Sequence, residues 1–347
     1  MHPQPQARAT PAAPTTKPLL EVVDLKVSFR APHRRWLPVI DTANLSVEAG
    51  AAVGIVGESG SAKTMLCRTL IGTLARHGAR IVGGQLLFNG AELARAGERT
   101  WRQIRGRQIG YVPQSSLAGL NPVLTVGTQL MESIQVFEPM SRRSAEREAI
   151  ALLERVQIAR AKQVFHARSH ELSGGMRQRV MIAAAIAQKP LLLLADEPTT
   201  ALDVTVQRDI LTLLTELRRE LGMTLILISH DLAVIEEVCE RMVVMYAGAT
   251  IESGAIDVLM RESRHPYTRS LRASRVDRAV PGEDIQTIPG DAVSVGAWPE
   301  GCRFWKRCWL AADICKHGAQ PPLMPAVNQL SACIRWEALD EHDRAAD

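Results

Sequence analysis

Gly57-Glu58-Ser59-Gly60-Ser61-Ala62-Lys63-Thr64 is the stretch on which the fold of this chain turns. It follows Ala52 to Val56, a short apolar run ending in glycine as a buried strand does, and it opens a helical pattern through Leu66 and Leu70. A glycine-rich turn between a buried strand and a helix offers backbone N–H groups and the positive end of the helix dipole to an anion. In that setting Lys63 is placed to neutralise a β- and γ-phosphate, and the Thr64 hydroxyl to sit on Mg²⁺. Ala62 departs from the usual pattern, which has glycine there. A helical Ala62 is expected, where the methyl needs only room; a positive φ would instead cost about 1–2 kcal/mol. A strand-to-helix turn that binds nothing could carry the same glycines, so the rest of the chain must decide.

Working outward, Ile109 to Val112, Leu191 to Ala195, Thr224 to Ile228 and Met242 to Tyr246 are further short apolar runs, several of them separated by helical patterns. After Asp203, residues Val206, Ile210, Leu213, Leu214 and Leu217 fall on one helical face, giving the strand, helix, strand alternation of an α/β protein with a mainly parallel sheet. Leu25, Val27 and Phe29 alternate as in a half-buried strand. Between Ser115 and Lys189 the strand signals vanish, and Ile150, Leu153 and Val156 mark an amphipathic helix within a helical insertion. Beyond Leu271 the composition shifts to Pro, Gly, Trp and Cys with little periodicity. The expected division is a disordered leader over 1–18, a nucleotide-binding domain over 19–270 with a helical subdomain at about 115–189, and a C-terminal module over 271–347.

The 347 residues are 46% apolar, ample for a buried core. The net charge of +4, from 41 basic and 37 acidic residues, comes without a dense Lys/Arg stripe, so no nucleic-acid partner is implied. No apolar run approaches the roughly 18 residues of a membrane helix; the nearest, Val180 to Ala195, is broken by Gln188, Lys189 and Pro190. Any membrane role is therefore borrowed from partners. The opening MHPQPQARATPAAPTTKP lacks the apolar core of a secretory signal, and a cytosolic protein is expected.

Leu191 to Glu197 reads as a buried strand ending in two adjacent carboxylates. Because a strand alternates faces, the two acids cannot do the same job. Asp196 is placed to hold Mg²⁺ through water, and Glu197 to polarise an attacking water as general base. Leu172-Ser173-Gly174-Gly175-Met176-Arg177-Gln178-Arg179 precedes an apolar helical segment that Ser173 can cap, and exposed glycine amides there make a second anion site. Alone, the first could be a solvated acidic turn and the second a plain capped helix start.

Together these stretches resemble the motif set of ABC ATPases, in that family's order: a Walker A loop at Gly57 to Thr64, LSGGMRQR as the signature, and Asp196-Glu197 as Walker B. The resemblance implies a RecA-like P-loop core with an antiparallel β edge and a helical subdomain, binding ATP and Mg²⁺. It implies that Ser173, Gly174, Gly175 and Gln178 serve an ATP held by a partner subunit. Gln114 matches the Q-loop glutamine that senses Mg²⁺, Asp203 the D-loop and His230 the switch histidine. Phe29 resembles the aromatic that stacks on adenine, though a core phenylalanine on a strand would look alike.

Gly-Glu-Ser-Gly-Ser in the loop, Met176-Arg177, Asp196 to Thr205, Met245 to Gly248 and His265 to Arg269 narrow the resemblance to the oligopeptide/dipeptide importer ATPases, and specifically to their D-type subunit. The implied partners are an F-type ATPase in a heterodimer, two transmembrane permease subunits and, indirectly, an extracytoplasmic binding protein, at the cytoplasmic face of the membrane. Nickel, glutathione or opines are alternative cargoes, and a non-hydrolysing nucleotide-binding regulator is an alternative of another kind. Apart from its use as a family marker, His265 to Arg269 could be an ordinary Pro-centred turn.

Six cysteines are present, four of them, Cys302, Cys308, Cys315 and Cys333, in the tail. That spacing is similar to the tail of the importer family and is expected to hold a 4Fe-4S cluster, or failing that zinc; the alternative is four reduced thiols packed with Trp305 and Trp309. Cys67 and Cys239 read as core residues.

Overall fold

The structure, a computed structural model, describes residues 17–31, 35–115, 119–275, 277 and 287–340. The leader expected over 1–18 lies, up to residue 16, outside the described residues. In chain order the strands are β1 (Leu20–Arg30), β2 (Trp36–Val47), β3 (Ala52–Val56), β4 (Ala79–Phe88), β5 (Ala91–Glu92), β6 (Ile109–Val112), β7 (Leu192–Asp196), β8 (Thr224–Ser229), β9 (Arg241–Tyr246), β10 (Ala249–Ala255), β11 (Met324–Ala326) and β12 (Gln329–Ser331).

They form one sheet in the order β5-β4-β1-β2-β10-β9-β3-β8-β7-β6, with β12 against β10 and β11 against β12. From β9 through β3, β8 and β7 to β6 every pairing is parallel. The β1, β2, β4 and β5 pairings are antiparallel, making the expected β edge. Strand β3 explains why its sequence is continuously apolar. Period-2 alternation sends Val53 and Ile55 into one core cluster and Ala52 and Val56 into the other, so both faces are covered. Burying each Val or Ile side chain of this kind contributes about 1.5–3 kcal/mol.

The helix Val204–Leu221 buries Ile210, Leu211, Leu213, Leu214 and Leu217, the face read from the sequence with Leu211 added and Val206 only half-buried. The insertion is helical as expected, with helices at Val126–Gln135, Arg142–Arg155, Ala161–His166 and Gly174–Ile186. No helix among the described residues is long and apolar enough to cross a membrane.

The stretch after Leu271 has little regular structure but is tied to the core. Strand β12 pairs with β10, and Phe304 and Ala332 belong to the core cluster of the helical insertion. Arg303 donates to the Ala247 carbonyl and to Asp41, both at 2.6 Å. The loss of periodicity at Leu271 thus marks a segment held by one short ladder and by side chains.

Candidate functional site

Strands β3, β8, β7 and β6 lie side by side and parallel, so their carboxyl ends open on the same edge of the sheet, where ligands bind in open α/β sheets. The phosphate loop leaves β3, Asp196 ends β7, His230 follows β8, and Gln114 follows β6. Residues separated by more than a hundred positions in sequence are thereby brought to one edge.

In the loop, a Cβ at Gly57 would stand 2.2 Å from the Met245 carbonyl oxygen, an approach only glycine allows. Lys63 opens the helix Lys63–Leu70 and is buried. Its ammonium donates to the carbonyls of Gly57 at 2.6 Å and Glu58 at 3.0 Å. Burial lowers the Lys63 pKa, while the carboxylates of Glu197, Asp196 and Glu58 act in the opposite direction. Ala62 corrects the sequence reading. It sits at φ 78, ψ 17 in the left-handed region, not in the helix, and therefore stores about 1–2 kcal/mol of strain that glycine would not. Helix geometry begins only at Lys63, because the chain must first turn sharply after Gly60, itself at φ 83.

Glu197 is the point of convergence. Gln114 Nε2 donates to its Oε2 at 2.9 Å, and the Thr200 hydroxyl donates to the same oxygen at 3.0 Å. His230 Nδ1 stands 3.3 Å from it. The backbone of Glu197 is left-handed at φ 47, so the carboxylate is aimed by a strained turn. Next to it Asp196 is buried, and its Oδ2 accepts from the Tyr111 hydroxyl at 3.4 Å. Burial raises the Asp196 pKa, with the neighbouring Glu197 charge adding to it. Its Oδ1 is buried without a hydrogen-bond partner among the described residues. An orphaned carboxylate oxygen beside a second carboxylate fits a divalent cation, with Thr64 at the start of the facing helix.

The Ser173 turn is built differently. Ser173 is exposed and caps the helix Gly174–Ile186 by accepting from Met176 N at 3.3 Å. A Cβ on Gly175 would stand 2.6 Å from Val206 Cγ1, so glycine keeps this helix against the next one. Asp203 is exposed and caps the helix Val204–Leu221 through Val206 N at 3.0 Å. Gln178 is buried. Phe29, half-buried on β1, packs against the core cluster of the antiparallel strands.

The cysteine tail does not bear out the expected metal. Among the described residues no group of three or more His, Cys, Asp or Glu side chains could hold a metal ion, which overturns both the 4Fe-4S cluster and zinc on Cys302, Cys308, Cys315 and Cys333. The four residues line one cavity with Phe304 and Trp305, but its volume is about 20 Å³, room for little more than a water molecule. Burial pushes the Cys302 thiol up, that of Cys308 to about 11 and that of Cys333 to about 12. Spacing alone could not reveal this, since it is silent on how tightly the thiols pack.

Three groups at this edge escaped sequence reasoning. Thr200 was visible only as part of Asp196-Glu197-Pro198-Thr199-Thr200, and Tyr111 and Tyr267 carried no motif of their own. Tyr267 accepts from the Glu58 N–H at 2.8 Å.

Known proteins resemble this chain over most of its length. The family profile described as ABC transporter matches residues 40–200, and that of the oligopeptide/dipeptide transporter C-terminal region matches residues 251–315. The oligopeptide transport ATP-binding protein OppD of Salmonella typhimurium is 42% identical over 330 residues, covering 94% of this chain and 96% of that protein. OppD of Escherichia coli is 42% identical over 318 residues, covering 91% and 93%. Among solved structures, an ATP-binding cassette dimer in a post-hydrolysis state with ADP and Pi matches with a TM-score of 0.60 and 26% identity, over 68% of this chain and 98% of that one.

Proposed function

The chain belongs to the ATP-binding proteins of ABC transporters, in their oligopeptide/dipeptide branch, and from that premise we propose that it hydrolyses ATP to power uptake of oligopeptides or dipeptides. The observation that carries this reading is the convergence of Gln114, Thr200 and His230 on one oxygen of Glu197, beside the unpartnered oxygen of Asp196.

Glu197 takes the proton of the attacking water, and its three neighbours hold the carboxylate in one direction so that little reorganisation is needed. Lys63 exchanges the carbonyls of Gly57 and Glu58 for phosphate oxygens, with the loop amides up to Thr64 as cradle, apart from the Glu58 N–H that Tyr267 holds. Thr64, Gln114 and Asp196 would hold Mg²⁺, which when bound neutralises the charge of the phosphate oxygens. Phe29 is assigned to the adenine.

Ser173, Gly174, Gly175 and Asp203 are assigned to the nucleotide of a second cassette, an F-type homologue facing this one head to tail; Gln178, expected to join them, is buried at 2% exposure and is left out. We place the pair on two permease subunits at the cytoplasmic face of the membrane, as peripheral proteins, with an extracytoplasmic binding protein delivering the cargo. Residues 19–270 are assigned as the nucleotide-binding domain and residues 271–347 as its C-terminal module.

Glu197→Gln in the assembled transporter tests the assignment. Hydrolysis is expected to fall by at least about 10²-fold, the scale of a general base, with ATP binding retained; hydrolysis at the parent rate would overturn it.

A further inference from the structure

Glu58 is the second residue of the phosphate loop, and it is gripped from outside that loop on both backbone and side chain. Its N–H donates to the hydroxyl of Tyr267, a fully buried ring packed against Tyr246 and Phe304 with centroids 4.7 and 5.3 Å away. Its carboxylate takes the planar fork of Arg307, Nη1 to Oε2 at 2.7 Å and Nη2 to Oε1 at 3.0 Å. Arg307 is buried and its orientation is fixed elsewhere as well, Nε donating to the Pro289 carbonyl at 2.7 Å and Nη1 to the Tyr246 hydroxyl at 3.2 Å. The peptide so held matters to the loop's own lysine, because the Glu58 N–H shares its peptide unit with the Gly57 carbonyl, one of the two that Lys63 Nζ caps.

A carboxylate inside a loop that receives a triphosphate works against the ligand unless its charge is offset. A bidentate guanidinium offsets the charge and fixes its direction at once, which a lysine's point charge does not. The Tyr267 bond meanwhile engages one loop amide, so the Gly57–Glu58 peptide cannot rotate freely.

We propose that Arg307, backed by Tyr267, is a positioning residue of the nucleotide site: it offsets and orients the Glu58 carboxylate while Tyr267 holds the Gly57–Glu58 peptide, so that ATP affinity depends on the docked C-terminal segment. This rests on the reading of the loop as an ATP site. Arg307 touches no reacting atom in this scheme, and its effect should fall on binding rather than on the chemical step.

The test is titration of the full chain with MgATP and MgADP, together with the KM and kcat of the assembled transporter. Arg307→Gln is expected to weaken MgATP binding about tenfold and MgADP, which carries less charge, by less, with KM raised and kcat within about twofold. Adding Glu58→Gln to Arg307→Gln should recover most of the loss, because the unpaired carboxylate is then gone; a merely structural defect would deepen instead. Arg307→Gln binding MgATP as the parent does, or a double variant as weak as the single one, would overturn the proposal. Should Arg307→Gln not fold, Tyr267→Phe carries the test: about threefold weaker MgATP binding supports the proposal and parent affinity overturns it. A parent chain that fails to bind MgATP at all refutes the ATP site itself, whereas parent binding that Arg307→Gln leaves unaltered refutes only the role of Arg307.

Discussion

The phosphate loop and the Ser173 turn are both glycine-rich entrances to helices, yet the chain surrounds them differently. Lys63 is buried with its ammonium on two carbonyls of its own loop, and Glu58 is locked by Arg307 and Tyr267. Ser173 is exposed, its hydroxyl engaged by the Met176 N–H, and its glycines abut the apolar Leu202 and Val206. One glycine-rich turn is closed by groups of the same molecule, and the other presents a capped helix start outward, the arrangement that the proposed sharing of an ATP site between two cassettes requires.

Four changes would break or sharpen that contrast. Lys63→Ala should weaken MgATP binding to the isolated chain about 100-fold, since a charge-assisted contact to phosphate is lost; a change under about threefold, read by titration, would leave the loop indistinguishable from the Ser173 turn. Gly175→Val should leave that binding near the parent value and lower hydrolysis by the assembled pair about tenfold, because its side chain meets Val206 Cγ1, 2.6 Å from the first added carbon, and displaces the turn. Equal losses in both assays would end the distinction between a site served from within and one served across an interface.

Ala62→Gly relieves the left-handed alanine, at φ 78, at the expense of a freer unfolded chain. A net gain of about 1 kcal/mol is expected, seen as a rise of a few degrees in melting temperature. The smallest effect concerns Glu252 on β10, next to the strand β12 that anchors the tail. Burial pushes this carboxyl up to about 8 from an ordinary 4.5. The folded chain thus keeps a proton that the unfolded chain releases above about 4.5, so the group's stabilisation is complete at lower pH and drains away as pH rises, being lost by about 8. Glu252→Gln should accordingly melt close to the parent at pH 5 and higher than it at pH 9. A constant difference across that range would detach the tail's anchoring from this group.

Much of the site was legible from local pattern. Short apolar runs marked β6, β7, β8 and β9 to within a residue or so at each end, because strands covered on both faces have nowhere to put a polar side chain. Gly57 to Thr64, Asp196-Glu197 and the helix starts at Ser173 and Asp203 could be found because each is a few consecutive residues whose backbone and side chains act together. Individual antiparallel strands were harder. β2 and β4 mix polar and apolar residues without clean alternation, and their register shifts against β1 break the period.

The cysteines show the opposite failure: a suggestive spacing, with a packed cavity of about 20 Å³ where a cluster was expected. His265 to Arg269 looked like a family marker or a plain turn, yet its Tyr267 meets the phosphate loop, 209 positions away.

By itself the sequence determined the α/β class, the glycine-rich loop after β3 and the carboxylate pair, because periodicity and short motifs act over a few residues where chain connectivity keeps the partners together. Only the tertiary structure decided that Gln114, Thr200 and His230 meet at Glu197, that Ala62 is left-handed, that the tail thiols close on one another, and that Arg307 reaches Glu58. Those outcomes depend on strand order and on side-chain packing between distant segments, and neither is written in any local window of residues.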